Sequence, residues 1–213
     1  MHVIFYSKKE EIANAVTHGL GIVLSIIGLV YMLIYSIQNG GASHVVSSVV
    51  FGATLILMYT CSTLYHIFQS ERLKLFFRKL DHIAIYFLIA GSYTPFTLIT
   101  LQDTAWGWCI FFIIWALALL GVVYKLTPLN RYKKFSLVLY LGMGWLIILV
   151  AKPMIESLDS KGLWLLVLGG LTYTLGVVFY VWEKLPFNHA IWHVFVLGGS
   201  IFHFFAIFWY VIP

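Results

Sequence analysis

Long apolar runs alternate with short polar stretches along the whole chain. A run of about 20 apolar residues crosses roughly 30 Å of hydrocarbon as an α-helix, because each residue rises about 1.5 Å. Runs of this kind occupy seven ranges: 13–37, 44–68, 82–101, 106–124, 136–151, 163–182 and 189–211. The pattern therefore predicts an all-α polytopic membrane protein, in which residues 1–213 form a single seven-helix domain.

Two of the predicted helices are irregular. The fifth run is short for a membrane span, so we expect it to extend into the flanking Lys133-Lys134 or Lys152-Pro153. In the third run, Pro95 removes a backbone donor, which predicts a kink. Ser92 and Thr94 are placed to re-satisfy the carbonyl groups that the proline leaves free.

Composition supports the membrane assignment. Hydrophobic residues make up 62% of the chain and charged residues only 10%, against roughly 25% charged in soluble domains. So few charges do not cover the surface of a soluble protein. The first eleven residues show no cleavage pattern, so we expect the first apolar segment to be retained rather than removed as a signal peptide. Cys61 and Cys109 lie in different runs and indicate neither a disulfide nor a thiolate metal site.

Basic residues predict the orientation. If the N-terminus is cytoplasmic, that side holds eleven of the thirteen Lys and Arg residues, and the other side only Lys152 and Lys161. The eleven are Lys8, Lys9, Arg72, Lys74, Arg78, Lys79, Lys125, Arg131, Lys133, Lys134 and Lys184. The positive-inside rule thus predicts a cytoplasmic N-terminus and an external C-terminus. The basic residues flank membrane spans, so we expect anionic lipid rather than nucleic acid as their partner.

Histidines are the candidate functional residues. His189 and His193 are four apart at the start of the last helix, where they share one face and can reach one metal ion. The alternative is a pair of buried histidines hydrogen-bonded to neighbouring helices. Ser62 and His66 share a face near the end of the second helix, and Asp81 precedes the third. The predicted topology brings all five to the cytoplasmic leaflet.

This clustering predicts a metal site, because unpaired ionisable groups are costly in hydrocarbon. Three neutral imidazoles, His66, His189 and His193, match a catalytic zinc site with water as the fourth ligand. Asp81 would bind that water or the ion, and Ser62 would hold the water or a ligating ring.

Several histidines and Asp81 have other interpretations. The alternative for Asp81 and His82 is an interfacial helix start with Asp81 as the N-cap. The alternative for His66 is an interfacial side chain that extends toward water. His203 lies roughly 15 Å along the helix from His193, too far to share its metal. His18 forms a polar face with Asn14 and Thr17, and we interpret this face as a structural hydrogen-bonding cluster rather than a lid over the site.

The set of motifs resembles the hemolysin III family. The resemblance rests on Ser62-x3-His66, Lys79-Leu80-Asp81 and His189-x3-His193, with similarities at Asn14-x-x-Thr17-His18-Gly19 and Gly91-Ser92-Tyr93-Thr94-Pro95. That family is grouped with the progestin and adipoQ receptors and, more distantly, the alkaline ceramidases. The resemblance implies seven helices with a sidedness opposite to G-protein-coupled receptors. It also implies zinc bound by the three histidines, with Asp81 at the zinc-bound water and Ser62 nearby.

Three functions follow as expectations for a multi-pass protein of the bacterial plasma membrane. The first is a zinc-dependent hydrolase of a lipid amide, ceramidase-like, in which Asp81 is the general base. The resemblance also links the family to membrane fluidity and lipid homeostasis. The second is a pore-forming cytolysin, and the third a membrane sensor or receptor with a structural zinc. The choice of metal is open, because histidine-rich sites accept several divalent ions.

Overall fold

Apolar periodicity over most of the chain produces an all-helical structure. The computed structural model describes residues 6–127 and 133–212, and within these ranges seven helical spans are long and apolar enough to cross a membrane. The prediction of a seven-helix membrane protein is confirmed. Arg131, one of the basic residues that predict the orientation, lies outside the described ranges, as do residues 1–5 of the N-terminal segment.

Eight α-helices make up these spans. Their bounds are α1 Lys8–Asn39, α2 Ala42–Ile67, α3 Glu71–Pro95, α4 Ala105–Leu126, α5 Lys133–Gly144, α6 Ala151–Ser157, α7 Ser160–Val181 and α8 Asn188–Tyr210. The fifth span consists of α5, a 3-10 segment at Leu146–Val150, and α6. The apolar span itself runs from Phe135 to Ser157 and so includes Lys152-Pro153, while Lys133-Lys134 form the start of α5 just before it.

The helices pack mainly on their neighbours in the chain, and α1 also packs on α8. This last contact joins the two ends of the sequence, so that α2, α1 and α8 lie side by side. The second and third spans are the most buried, with 56% and 67% of their apolar windows inside the bundle. Where Gly91 of α3 faces Thr54 of α2, a Cβ on the glycine would collide with the threonine side chain. Small residues permit such approaches between membrane helices.

The third helix begins earlier than the sequence predicted. It starts at Glu71 rather than at residue 82, so Asp81 lies ten residues inside the helix and is not its N-cap. The basic residues between Glu71 and Asp81 are typical of a polar loop, but Lys74 and Arg78 are buried in the bundle. The first turns of α3 are therefore stabilised by contacts of these buried charges and not by a run of apolar residues.

Pro95 does interrupt the regular helix, as predicted. It ends α3, and a π-helical turn follows at Phe96–Thr100. Ser92 and Thr94 donate hydrogen bonds to the carbonyls of Ile89 and Ala90, at 2.8 and 2.9 Å. The carbonyl that loses its i+4 donor to the proline belongs to Gly91, so the two hydroxyls do not replace the missing bond.

The starts of α1 and α8 are tied together. Ser7 and Glu10 form a capping box at the start of α1. The Glu10 carboxylate also accepts a hydrogen bond of 3.1 Å from the backbone N–H of Phe187, which precedes α8 and has a positive φ of 57°. The segment that carries His189 and His193 is thus held against the first turn of the chain.

Candidate metal centre

Three histidines from two helices converge at one end of the bundle. His66 lies in the last turn of α2, while His189 and His193 lie in the first two turns of α8. One ring nitrogen from each lies within 4.8 Å of the others. His66 and His193 are each 1% exposed, and His189 is 8% exposed. The structure therefore brings together the three predicted ligands in a buried group able to hold a metal ion.

Hydrogen bonds determine the tautomers of two of these rings. His66 Nδ1 lies 2.7 Å from Glu11 Oε2, and His193 Nδ1 lies 3.1 Å from the carbonyl oxygen of Asn14. Carboxylate and carbonyl oxygens only accept, so Nδ1 carries the proton in both rings. The lone pair then lies on Nε2, the atom that is left to bind a metal.

The free nitrogens fit a metal better than they fit a packed core. Within the described part of the chain, Nε2 of His66 and Nε2 of His189 have no hydrogen-bond partner although both are buried. Leaving buried polar atoms without partners costs about 1–3 kcal/mol each. A divalent ion bound to these imidazoles removes that cost, and three neutral histidines are a donor set typical of zinc.

Glu11 is the centre of a buried charge network. Its Oε2 bonds to His66, and its Oε1 accepts a hydrogen bond of 2.6 Å from Lys74 Nζ of α3. Lys74 also donates to the Tyr65 carbonyl at 3.2 Å and lies 4.8 Å above the Tyr65 ring. The carboxylate therefore links α1, α2 and α3, and it orients one ring of the histidine group, as carboxylates commonly do for metal-binding histidines.

Asp81 and Ser62 lie near the histidines but are not part of the group itself. Asp81 is 8% exposed and lines the same cavity as His189 and His193. The Ser62 hydroxyl lies beside the Asp81 carboxylate, although no hydrogen bond of normal geometry joins them. His82 Nδ1 donates to the Arg78 carbonyl at 2.6 Å and lies 3.8 Å from Asp81. The catalytic roles of Asp81 and Ser62 stay predictions.

The polar face of α1 contacts the histidine group directly. Thr17 Oγ1 lies 3.3 Å from His193 Nδ1, and the His18 ring stacks on the His193 ring with centroids 3.5 Å apart. Neither nitrogen of His18 makes a hydrogen bond within the described residues. Asn14 and Thr17 therefore make the hydrogen bonds of the predicted cluster, whereas His18 packs against a candidate ligand.

The interfacial interpretation of His66 is wrong. Its ring is enclosed by Glu11 and by aromatic neighbours rather than extended toward water. Tyr6, just before α1, stacks on His189 with centroids 5.1 Å apart and contacts His66 at 5.9 Å. Burial raises the pKa of the Tyr6 hydroxyl, so Tyr6 remains neutral and covers the histidine group from the N-terminal side.

A cavity of about 920 Å³ extends from this group into the bundle. Its lining includes Asp81, His189 and His193 at one end and His203, ten residues further along α8. Most of the remaining lining is apolar or aromatic. The volume lies within the usual range for cavities that enclose small ligands.

Comparison with known proteins identifies the family of this chain. The family described as "Haemolysin-III related" matches residues 6–204, which include all three histidines and Glu11. The chain belongs to the hemolysin III family. It is 50% identical over 205 residues to Hemolysin-3 of Bacillus cereus, covering 96% of this chain and 93% of the relative. It is 46% identical over 207 residues to the Hemolysin-3 homolog of Bacillus subtilis (strain 168), covering 97% of each.

The similarity extends to a human protein. This hemolysin III family member is 33% identical over 208 residues to the monocyte to macrophage differentiation factor of Homo sapiens, covering 95% of this chain and 84% of the relative. The predicted family resemblance is confirmed by these matches.

Sequence reasoning missed two charged residues of the site, Glu11 and Lys74. Both residues belong to a set of polar residues with helical spacing, which could have identified them. Glu11, Asn14 and His18 follow an i, i+3, i+7 spacing that places them on one face of α1. Lys74, Arg78 and Asp81 follow i, i+4, i+7 on α3. In this family member, the two faces meet beside His66.

Proposed function

We propose that the protein is a zinc-dependent hydrolase that cleaves an amide bond of a membrane lipid. The observation that carries the proposal is the group of three buried histidines at the head of a largely apolar cavity. Three neutral histidines are the ligand set of a catalytic zinc site that keeps a position for water or substrate. A purely structural zinc more commonly has four protein ligands.

The rest of the site supplies the groups that amide hydrolysis needs. A bound divalent ion would polarise the amide carbonyl and acidify a water molecule. Asp81 would accept a proton from the attacking water as its oxygen bonds to the carbonyl carbon. Asp81 would then pass that proton to the amide nitrogen as the carbon–nitrogen bond breaks, leaving a carboxylic acid and an amine. Ser62 would orient the Asp81 carboxylate from beside it.

Other residues of the chain would position the ligands and exclude water. Glu11 holds His66 and the Asn14 carbonyl holds His193 in the tautomer that presents Nε2. Tyr6 and His18 pack against the histidine rings from two sides. The apolar length of the cavity suits an acyl chain, and the basic loops predict that the histidine end faces the cytoplasm, where lipid of that leaflet would enter.

Turnover of defined lipids by purified protein tests the proposal. The protein in nanodiscs would be incubated with a panel of lipid amides, ceramides included, and released amine and fatty acid measured by mass spectrometry. Asp81→Asn should lower the rate by about 100-fold or more, as for the loss of a general base, with zinc content unchanged. Asp103→Asn, at an exposed loop carboxylate, is the matched control and should keep the wild-type rate.

Two results would contradict the proposal. If Asp81→Asn hydrolyses lipid at the wild-type rate, Asp81 is not the base. If zinc-loaded wild-type protein leaves every lipid amide intact, the site fits a sensor with structural zinc instead. The names of the Bacillus relatives point to hemolysis, but the apolar lining of the cavity favours lipid binding over ion conduction.

A further inference from the structure

Two buried cations line the cavity near its histidine end. Arg78 of α3 is 5% exposed and Lys125 of α4 is 3% exposed. Both side chains belong to the cavity lining together with Asp81. A buried cation in the hydrocarbon region of a membrane is costly, so such residues commonly mark a binding site or an ion path.

The cavity has an excess of positive charge. Among its described lining residues, Arg78, Lys79 and Lys125 are cationic, and Asp81 is the one acidic side chain. The other acidic residue of this region, Glu11, is already engaged by Lys74 and His66. Arg78 and Lys125 also interact with other groups of the protein. Three cations against one carboxylate leave the described lining with a net positive charge.

Arg78 and Lys125 share the cavity with the candidate metal centre. The same lining includes His189 and three tyrosines, Tyr6, Tyr65 and Tyr180. Tyr6 and Tyr180 contact the His189 ring, and Tyr65 contacts the His66 ring. The cavity therefore combines a candidate centre for hydrolysis with two buried cations, while most of the remaining lining is apolar or aromatic.

We propose that Arg78 and Lys125 form a subsite for an anionic group, phosphate or carboxylate, carried by the lipid that occupies the cavity. The guanidinium group of arginine bonds two oxygens of such an anion at once, and the lysine ammonium adds a point charge. The lipid chain would lie along the apolar part of the cavity. As a description of the substrate this rests on the proposed hydrolase function, but the binding itself requires no turnover.

Binding of simple amphiphiles tests the subsite. Purified protein in nanodiscs of zwitterionic lipid would be titrated with dodecyl phosphate, dodecanol and inorganic phosphate. Each titration would use metal-loaded and chelator-treated protein, because a phosphate group could also bind the metal. We expect dodecyl phosphate to bind at least tenfold more tightly than dodecanol or inorganic phosphate, and to do so without metal.

Substitutions then locate the anion. Arg78→Gln and Lys125→Gln should each weaken dodecyl phosphate binding by tenfold or more and leave dodecanol binding unchanged. Arg72→Gln, at an exposed arginine on the same helix, is the matched control. If Arg78→Gln does not fold, Arg78→Lys can be used, because it keeps the charge without the bidentate hydrogen bonds of a guanidinium group. Arg78→Lys should give an intermediate loss of dodecyl phosphate affinity.

The outcomes separate this proposal from the hydrolase function. Asp81→Asn should lower the rate of hydrolysis but tighten dodecyl phosphate binding, because it removes the one acidic side chain among the described lining residues. Equal affinity for dodecanol and dodecyl phosphate would overturn the subsite, as would binding that disappears with the metal and ignores Arg78→Gln. Equal affinity for inorganic phosphate would assign the subsite to free phosphate and overturn its role for lipid.

Discussion

Replacing Glu11 by glutamine tests how the chain prepares its histidines for a metal. The substitution keeps the size of the side chain but removes the negative charge that accepts from His66 Nδ1 at 2.7 Å and from Lys74 Nζ at 2.6 Å. Two separate effects should follow, one on metal affinity and one on stability, because the two bonds serve different purposes.

The effect on metal affinity comes from His66. Loss of a partner that orients a metal-binding histidine commonly weakens metal binding about 10- to 100-fold. At about 1.4 kcal/mol for each factor of ten, this corresponds to roughly 1.4–2.8 kcal/mol. Glutamine still accepts a hydrogen bond, so we expect the lower half of that range.

The effect on stability comes from Lys74, whose side chain is fully buried. Removing one partner of a buried ion pair costs about 3–5 kcal/mol, because the other charge is left uncompensated. Here the Tyr65 carbonyl and ring remain in contact with the ammonium group, so this range is an upper bound.

A second substitution separates the two effects. Adding Lys74→Met to Glu11→Gln removes the uncompensated charge and should restore most of the thermal stability. It should not restore zinc affinity, because His66 still lacks its anionic acceptor. Zinc affinity would be measured by competition with a chromophoric chelator and stability by thermal unfolding in the same detergent. Glu71→Gln, at an exposed carboxylate in the first turn of α3, is the control for affinity. Wild-type zinc affinity in Glu11→Gln would refute this role of Glu11.

Two further predictions concern the fold. Gly91→Ala should destabilise the protein by about 1–3 kcal/mol, because the new Cβ collides with Thr54. Adding Thr54→Ala should recover much of the lost stability in thermal unfolding. An unchanged unfolding midpoint in Gly91→Ala would contradict the close contact of α2 and α3. Phe187 has a positive φ, which glycine adopts without strain and a β-branched residue does not. Phe187→Val should therefore lower the unfolding midpoint, and Phe187→Gly should not. Equal losses of stability in the two variants would assign the effect to the missing ring instead.

Hydropathy was sufficient to predict the seven spans, because a membrane helix must present apolar side chains along about 30 Å. It was insufficient at the start of α3, where the prediction began eleven residues late. Lys74 and Arg78 enter the bundle there because the site supplies a carboxylate and a cavity for them. A hydropathy window treats such residues as loop, since it contains no information on partners.

The candidate ligands could be predicted because spacing and topology are both encoded locally. His189 and His193 share a helix face, and counting spans placed His66 at the same end of the bundle. Glu11 and the stacking of His18 on His193 depend on how α1 packs against α2 and α8, which single-sequence patterns do not specify. The helical spacing of Glu11, Asn14 and His18 indicates a polar face but not its partner.

Metal content of the purified protein tests the central claim most directly. Wild-type protein, purified without added chelator, should contain about one zinc per chain by elemental analysis. Single substitutions of His66, His189 or His193 by glutamine should reduce the content to background. His203→Gln, a buried histidine of α8 outside the group, should keep it. Two results would contradict the proposed metal site. One is folded wild-type protein that holds no stoichiometric metal even after zinc loading. The other is a wild-type zinc content in the single variants of His66, His189 and His193.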